Sequence, residues 1–262
     1  MTLLEMLIEV IILFCIGTLG MLLSTLTGGG TNVILVPLLI LIYHLPPGEA
    51  IGTAFFALTA GSVTAAFGFL RKGKARMKDG VMLGILTVPG IILGTVLSTF
   101  LQEEFFKVAL GLVIIVLSYL IAREKDDKME ISSLKGSDAS LKIRNLWLSS
   151  TMFVVVGFFI GFFGQGGGLL LLPVMQFAGF TFIQTLGTLR IIAIIIGGTA
   201  FGSRFAISQV NLYMAIILAF GAIFGGIVGV KTATSIKSGI LQFTAAVLIA
   251  FLGIALIAET LL

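Results

Sequence analysis

The chain has very few cysteine, histidine and charged residues. It has one cysteine and one histidine in 262 residues, so an intrachain disulfide is excluded and a cluster of metal ligands is not expected. Charged residues make up only 11% of the chain, against about 25% in an ordinary soluble domain. The protein therefore has too little polar surface to be wetted on all sides.

Long hydrophobic runs take the place of that polar surface, and hydrophobic residues account for 58% of the chain. Many runs approach the length of about 20 residues that a helix needs to cross a hydrocarbon core of about 30 Å. The runs are Leu3–Leu26, Val33–Tyr43, Ala50–Leu70, Gly80–Leu101, Phe105–Ala122, Leu146–Phe163, Leu169–Phe180, Phe182–Phe201, Val210–Val230 and Ile240–Ala258. They predict an all-α polytopic protein of the cell membrane, with the lipid bilayer as its solvent.

One polar stretch, residues 123–145, divides the chain into an N-terminal half, 1–122, and a C-terminal half, 146–262, with five runs each. The halves match at a shift of about 135 residues. At this shift Gly52-Thr53 falls on Gly187-Thr188, and Gly90 with Gly94 falls on Gly225 with Gly229. A glycine triplet also precedes a proline in each half, Pro37 or Pro173. The pattern indicates an internal repeat.

Basic residues predict how the halves are oriented, because cytoplasmic loops carry the excess of Lys and Arg. The connection 71–78 is the densest basic patch, and we expect it and the linker to be cytoplasmic. In the second half the bias is reversed: the counterpart of this connection carries only Arg204, whereas the next one holds Lys231 and Lys237. Five crossings per half would produce that reversal. We therefore expect two inverted repeats, a midplane site between them, and both termini outside.

Two runs leave this topology open. Val33–Tyr43 and Leu169–Phe180 are too short to span a bilayer at a rise of about 1.5 Å per residue. They are either short crossing helices or re-entrant half-helices, and the second choice changes the orientation of the N-terminus.

Both short runs follow a glycine loop at membrane depth. The residues of these loops are Thr27, Gly28, Gly29, Gly30, Thr31 and Asn32 in the first half, and Gln165, Gly166, Gly167 and Gly168 in the second. Such backbone must be buried in protein or line a wet cavity. Each loop also begins a new helix, whose free amides and dipole favour an anion. The alternative is that these glycines only let helices pack closely. We favour binding for the paired triplets.

Arg190 is the sharpest single feature, because it lies inside the apolar run Phe182–Phe201. An arginine at the centre of a spanning helix costs about 2.5–3.5 kcal/mol, and no predicted span offers an acidic partner. A planar guanidinium matches two oxygens of an anion. The alternatives are a shallower position or bonds to backbone carbonyls at a helix break. Thr53 and Thr188 either add hydroxyl donors or bond their own backbone.

The order of these motifs resembles the sulfite exporter TauE/SafE family. The resemblance rests on Thr27-Gly28-Gly29-Gly30, Val36-Pro37-Leu38, Pro46-Pro47, Ala50-Ile51-Gly52-Thr53 and Val88-Pro89-Gly90, and on the counterparts in the second half. It implies a multispanning transporter with two repeated halves and a sulfur-containing anion as substrate.

We therefore expect a transporter that exports sulfite, a sulfonate such as sulfoacetate, or a related anion. The expected binding residues are Arg190, Thr53, Thr188 and the two glycine loops. No enzymatic activity, cofactor, metal site or nucleic-acid partner is expected, and the architecture is compatible with a homodimer. Two alternatives stay open: a carrier of a metal ion, amino acid or carboxylate, and an assembly subunit without transport activity.

Overall fold

The computed structural model is all-helical in the residues that it describes: 3–28, 30–100, 146–164, 182–235 and scattered positions elsewhere. These ranges contain seven helices. They are α1 (Leu3–Thr27), α2 (Asn32–Tyr43), α3 (Pro47–Arg71), α4 (Met77–Ser98), α5 (Leu146–Phe163), α6 (Phe182–Ala206) and α7 (Leu212–Ala233). The predicted runs Phe105–Ala122, Leu169–Phe180 and Ile240–Ala258, and the linker, lie almost wholly outside the described residues.

Five of the described helices, α1, α3, α4, α6 and α7, are long and apolar enough to cross a membrane. With 22 to 25 residues each, they reach about 33 Å or more at the α-helical rise. They also expose large apolar side chains on their outer faces, among them Leu7, Phe67, Ile85 and Phe220. Such faces suit lipid, and the prediction of an all-α polytopic membrane protein is confirmed.

Helix α2 is different, because it is short and enclosed by other helices. Its 12 residues extend only about 18 Å. Most of its side chains are buried, including Val33, Leu35 and Leu39. An interrupted helix at membrane depth is tolerated when protein surrounds it, and α2 meets that condition.

The helices that lead into the two glycine loops end in the same way. The residue after α1 is Gly28, with φ 71°, and the residue after α5 is Gly164, with φ 70°. The Gly28 amide donates to the Ser24 carbonyl at 2.9 Å, and the Gly164 amide donates to the Ile160 carbonyl at 2.8 Å. Glycine adopts this left-handed conformation without the steric cost of a side chain. The glycine at each position therefore stops the helix.

The helices of the two halves coincide at the shift found in the sequence. α3 and α6 both have 25 residues, and α4 and α7 both have 22. The turns between them are also alike: Gly73 and Ser208 both have positive φ, 64° and 57°. In these turns the Lys74 amide donates to the Phe69 carbonyl and the Gln209 amide to the Arg204 carbonyl, each at 2.9 Å.

Contacts between the halves are reciprocal. The Asn211 amide donates to Thr53 Oγ1 at 2.9 Å, and the Arg76 amide donates to Thr188 Oγ1 at 3.1 Å. The start of α3 thus lies beside the α6–α7 turn, and the start of α6 lies beside the α3–α4 turn. Helices α3 and α6 are consequently antiparallel.

The outer helices form two pairs that match between the halves. α4 packs on α5 and α7 packs on α1, with Gly90 against Val154 and Gly225 against Thr18. Lys72 Nζ donates to Thr234 Oγ1 at 2.8 Å, so the basic ends of α3 and α7 lie at one end of the bundle. Which face of the membrane that end occupies, and the inversion of the repeats, stay predictions.

Candidate functional site

Arg190 lies on the buried face of α6 and is only 2% exposed. Its Nη1 donates to Ser24 Oγ at 3.0 Å and its Nη2 to the Ser24 carbonyl at 2.8 Å. Ser24 belongs to the last turn of α1, directly before the first glycine loop. A guanidinium has more N–H donors than these bonds use, and Nε has no partner in the described part of the chain.

No carboxylate neutralises this charge within the residues that the structure describes. No Asp or Glu among them is buried, whereas Arg190 is almost fully enclosed. The bond to the Ser24 carbonyl matches one alternative raised from the sequence, namely a backbone carbonyl at a helix break. A neutral serine cannot supply the missing negative charge, so Arg190 is a buried cation with donors left for another group.

A pocket between the halves contains this guanidinium. The pocket is partly open to the surroundings. Its walls are formed by Gly28, Gly30, Asn32, Phe55, Leu58, Ile160, Gly164, Leu171, Leu189, Arg190, Ile192, Ala193 and Ile196. The polar groups gather at the glycine loops and Arg190, and the remaining wall is apolar.

Four residues predicted from the sequence, Gly28, Gly30, Asn32 and Arg190, line this pocket together. Asn32 also joins the two loops, since its Nδ2 donates to the Gly164 carbonyl at 3.0 Å. The other predicted glycine-loop positions are Gly29, Gln165, Gly166, Gly167 and Gly168, and they lie outside the described residues.

The predicted threonines lie elsewhere, and none of them lines the pocket. Thr27 Oγ1 donates to the Leu23 carbonyl at 2.9 Å, and Thr31 Oγ1 contacts Met21 Sδ at 3.3 Å. The hydroxyl oxygens of Thr53 and Thr188 accept the hydrogen bonds from the turn amides described above. Their described bonds are to the protein itself, so the predicted role as substrate donors would require a conformation in which these bonds are broken.

A second buried arginine was not identified as such from the sequence. Arg204 is 1% exposed and has four acceptors. Its Nη1 donates to Gln209 Oε1 at 2.7 Å and to the Gly48 carbonyl at 3.4 Å, and its Nη2 donates to Ser98 Oγ at 3.0 Å and to the Gly161 carbonyl at 3.2 Å. These groups come from α3, α4, α5 and the α6–α7 turn. Arg204 therefore ties the helices together instead of facing the pocket.

Comparisons with known proteins agree with this architecture. Residues 13–256 match the family model described as Sulfite exporter TauE/SafE. The chain is similar to a probable membrane transporter protein of Haemophilus influenzae, with 26% identity over 222 residues that cover 84% of this chain and 83% of that protein.

Two further relatives come from other lineages. The probable membrane transporter protein YunE of Bacillus subtilis is 24% identical over 95% of this chain and 97% of its own length. A probable membrane transporter protein of Methanocaldococcus jannaschii is 24% identical over 85% of this chain and 84% of its own length. No solved structure matches the chain significantly. The family model covers most of the sequence, and the chain therefore belongs to the sulfite exporter TauE/SafE family of membrane transporters.

Proposed function

We propose that the chain exports a small sulfur-containing anion, sulfite or a sulfonate, through the pocket around Arg190. One observation carries this proposal: a buried guanidinium without a carboxylate partner in the described residues lines a pocket between the two halves of a membrane protein. An isolated buried charge is costly unless it is paired. A bound anion would supply the missing partner.

The geometry suits an oxyanion in particular. Arg190 uses Nη1 and Nη2 once each toward Ser24, which leaves further N–H groups for a charge-assisted bond. Helix α2 begins at the same pocket, with Gly30 and Asn32 in its wall. The N-terminus of a helix adds positive potential. The guanidinium and this helix end would bind the same anion from two sides.

The membrane potential supplies a driving force for export. An anion that leaves an inside-negative cell gains about 2.3 kcal/mol per charge per 100 mV. No Asp or Glu is buried in the described residues, so these residues suggest no proton relay. A carrier without a coupling ion would suffice.

The position of the pocket between the halves supports an alternating-access carrier. It is lined from both halves, by Phe55 of α3 and Arg190 of α6 among others, and these central helices are antiparallel. In transporters built from inverted repeats, substrate binds between the repeats and one repeat rocks against the other.

Ligand binding to the purified protein tests the proposal. The midpoint temperature of thermal unfolding in detergent should rise on addition of at least one of sulfite, thiosulfate, taurine or sulfoacetate. A ligand that binds only the folded state stabilises that state. Acetate separates sulfur oxyanions from carboxylates. Stabilisation by acetate alone, or by none of these anions, would reject a sulfur-anion carrier.

Substitution of the two buried arginines then locates the site. Arg190→Gln should lose ligand stabilisation, and counterflow of labelled sulfite in vesicles should fall to background. Arg204→Gln is the matched control, because it removes another buried guanidinium that does not line the pocket. It should retain the affinity per folded molecule. Unchanged affinity in Arg190→Gln would remove Arg190 from the site.

A further inference from the structure

The described part of the pocket wall is almost free of charge. Of the described residues that line it, Arg190 alone carries a charge. The sequence extends this finding to the glycine-loop positions that lie outside the described residues. Residues 10–48 and 145–189 contain no Asp, Glu, Lys or Arg. Neither glycine loop can therefore bring a second cation to the substrate.

The repeat shows which residue occupies the place of a second arginine. Phe55 lies 135 residues before Arg190, at the same position of α3 that Arg190 has in α6. It is 1% exposed, and it lines the same pocket. Leu58 and Ala193 are related by the same shift, and both also line the pocket. The site is thus built from matched positions with a cation at one and an aromatic ring at the other.

We infer that this pocket selects singly charged oxyanions over doubly charged ones, and that Phe55 is the residue that sets this limit. The inference rests on the proposed function and specifies its substrate class. One guanidinium compensates one negative charge, and the N-terminus of α2 adds only about half a charge. A second full charge would therefore be left largely uncompensated among apolar side chains and the uncharged ring of Phe55.

Asn32 adds a second reason. Its Nδ2 is bonded to the Gly164 carbonyl, and its Oδ1 is buried without a partner in the described residues. An amide oxygen accepts a hydrogen bond from a protonated oxygen and repels a deprotonated one. For sulfite this favours the monoanion, because its S–OH form offers oxygens to Arg190 and a hydroxyl to Asn32, whereas the sulfite dianion offers no donor.

A pair of similar anions tests the charge limit. Methanesulfonate and sulfate share a tetrahedral sulfur centre, and they differ in that a methyl group replaces one oxygen and one charge. In calorimetric titrations methanesulfonate should bind at least about tenfold more tightly, a difference of about 1.4 kcal/mol. Equal or tighter binding of sulfate, with methanesulfonate still bound, would overturn the inference alone. If none of these anions binds, and none of sulfite, thiosulfate, taurine and sulfoacetate binds either, the proposed function fails as well.

Variants of Phe55 assign the limit to this residue. Phe55→Arg places a second guanidinium at the matched position and should shift the preference toward sulfate by about tenfold or more. Phe55→Leu, which adds no charge, should still prefer methanesulfonate. An unchanged preference in folded Phe55→Arg would remove Phe55 from this role.

The wild-type protein provides a measurement that is independent of folding in the variants. Sulfite takes up a proton near neutral pH, so its singly charged form increases as the pH falls. The affinity for total sulfite should therefore rise with falling pH, while that for methanesulfonate stays level. If the affinity for total sulfite instead decreased as the pH fell, relative to the affinity for methanesulfonate, selection of the monoanion would be contradicted.

Discussion

The central helices α3 and α6 occupy equivalent places in the repeat but bury opposite kinds of side chain. α3 buries Phe55 and Phe69, and α6 buries Arg190 and Arg204 at positions 135 residues later. These four are the largest fully buried side chains in the described part of the chain. A phenylalanine needs only close packing, whereas a buried guanidinium needs acceptors or a counter-ion. The buried side chains of α3 therefore need only apolar neighbours, whereas those of α6 need hydrogen-bond acceptors or a counter-ion from other parts of the protein or from a ligand.

The two arginines of α6 meet this need differently. Arg204 spreads its bonds over four acceptors from neighbouring elements. Arg190 has bonds to Ser24 alone among the described residues, and it lines the pocket. We therefore expect Arg204 to stabilise the fold and Arg190 to be available to a ligand.

The largest expected effect concerns the ends of α3 and α6, which should lie on opposite faces of the membrane. In a protein with Cys15 replaced by alanine, Lys74→Cys should react with a membrane-impermeant maleimide only from the cytoplasm. Ser208→Cys should react only from outside. Both side chains are exposed in the structure, so protection would reflect the membrane. Lys231→Cys should behave as Lys74→Cys does, and labelling of Lys74→Cys and Ser208→Cys from one face would refute the inverted repeat.

The next effect separates the two arginines by stability. Arg204→Gln should lower the free energy of unfolding by about 2–4 kcal/mol, because several acceptors lose bonds to a charged donor worth about 1.5–3 kcal/mol each. Arg190→Gln should change it much less, since the Arg190 guanidinium makes only two of the described bonds, both to Ser24. Denaturant titration in mixed micelles measures both. A larger loss in Arg190→Gln than in Arg204→Gln would reverse the assignment.

Much of this fold follows from hydropathy. The first and last residues of the runs Ala50–Leu70 and Val33–Tyr43 lie within a few residues of those of α3 and α2. An apolar stretch in lipid has to form its backbone hydrogen bonds within a helix. The run Phe182–Phe201 stops short of the end of α6, at Ala206. Hydropathy breaks at the polar Ser203 and Arg204, but the helix continues since Arg204 finds buried acceptors.

The candidate site could be predicted only in part. The glycine loop and Arg190 can be predicted, because each interrupts an apolar run. The bond between Arg190 and Ser24 joins residues 166 positions apart. A single sequence does not show which distant residues are close in space. Phe55 carried no signal of its own, because one buried phenylalanine resembles many others until the repeat pairs it with Arg190.

A smaller effect tests whether the outer helices pack equivalently. A Cβ on Gly90 would clash with the Val154 carbonyl, and one on Gly225 with the Thr18 carbonyl. Gly90→Val and Gly225→Val should therefore each destabilise the protein by about 1–3 kcal/mol. Gly198→Ala meets open space and should instead stabilise α6, by up to about 1 kcal/mol. Loss of stability in only one of the two valine variants would show that the halves pack differently.

The smallest expected effect concerns the threonines at the starts of α3 and α6. Thr53→Val and Thr188→Val each remove the acceptor of one turn amide, Asn211 or Arg76, and each should cost about 1 kcal/mol. Hydrogen exchange followed by mass spectrometry should show faster exchange at that turn only, and Thr→Ser at either site should restore protection. Since neither hydroxyl lines the pocket, anion affinity should stay within about twofold of wild type. A tenfold loss of affinity without faster exchange would place these hydroxyls on the substrate, and the reciprocal turn bonds would then describe only one state of the transport cycle.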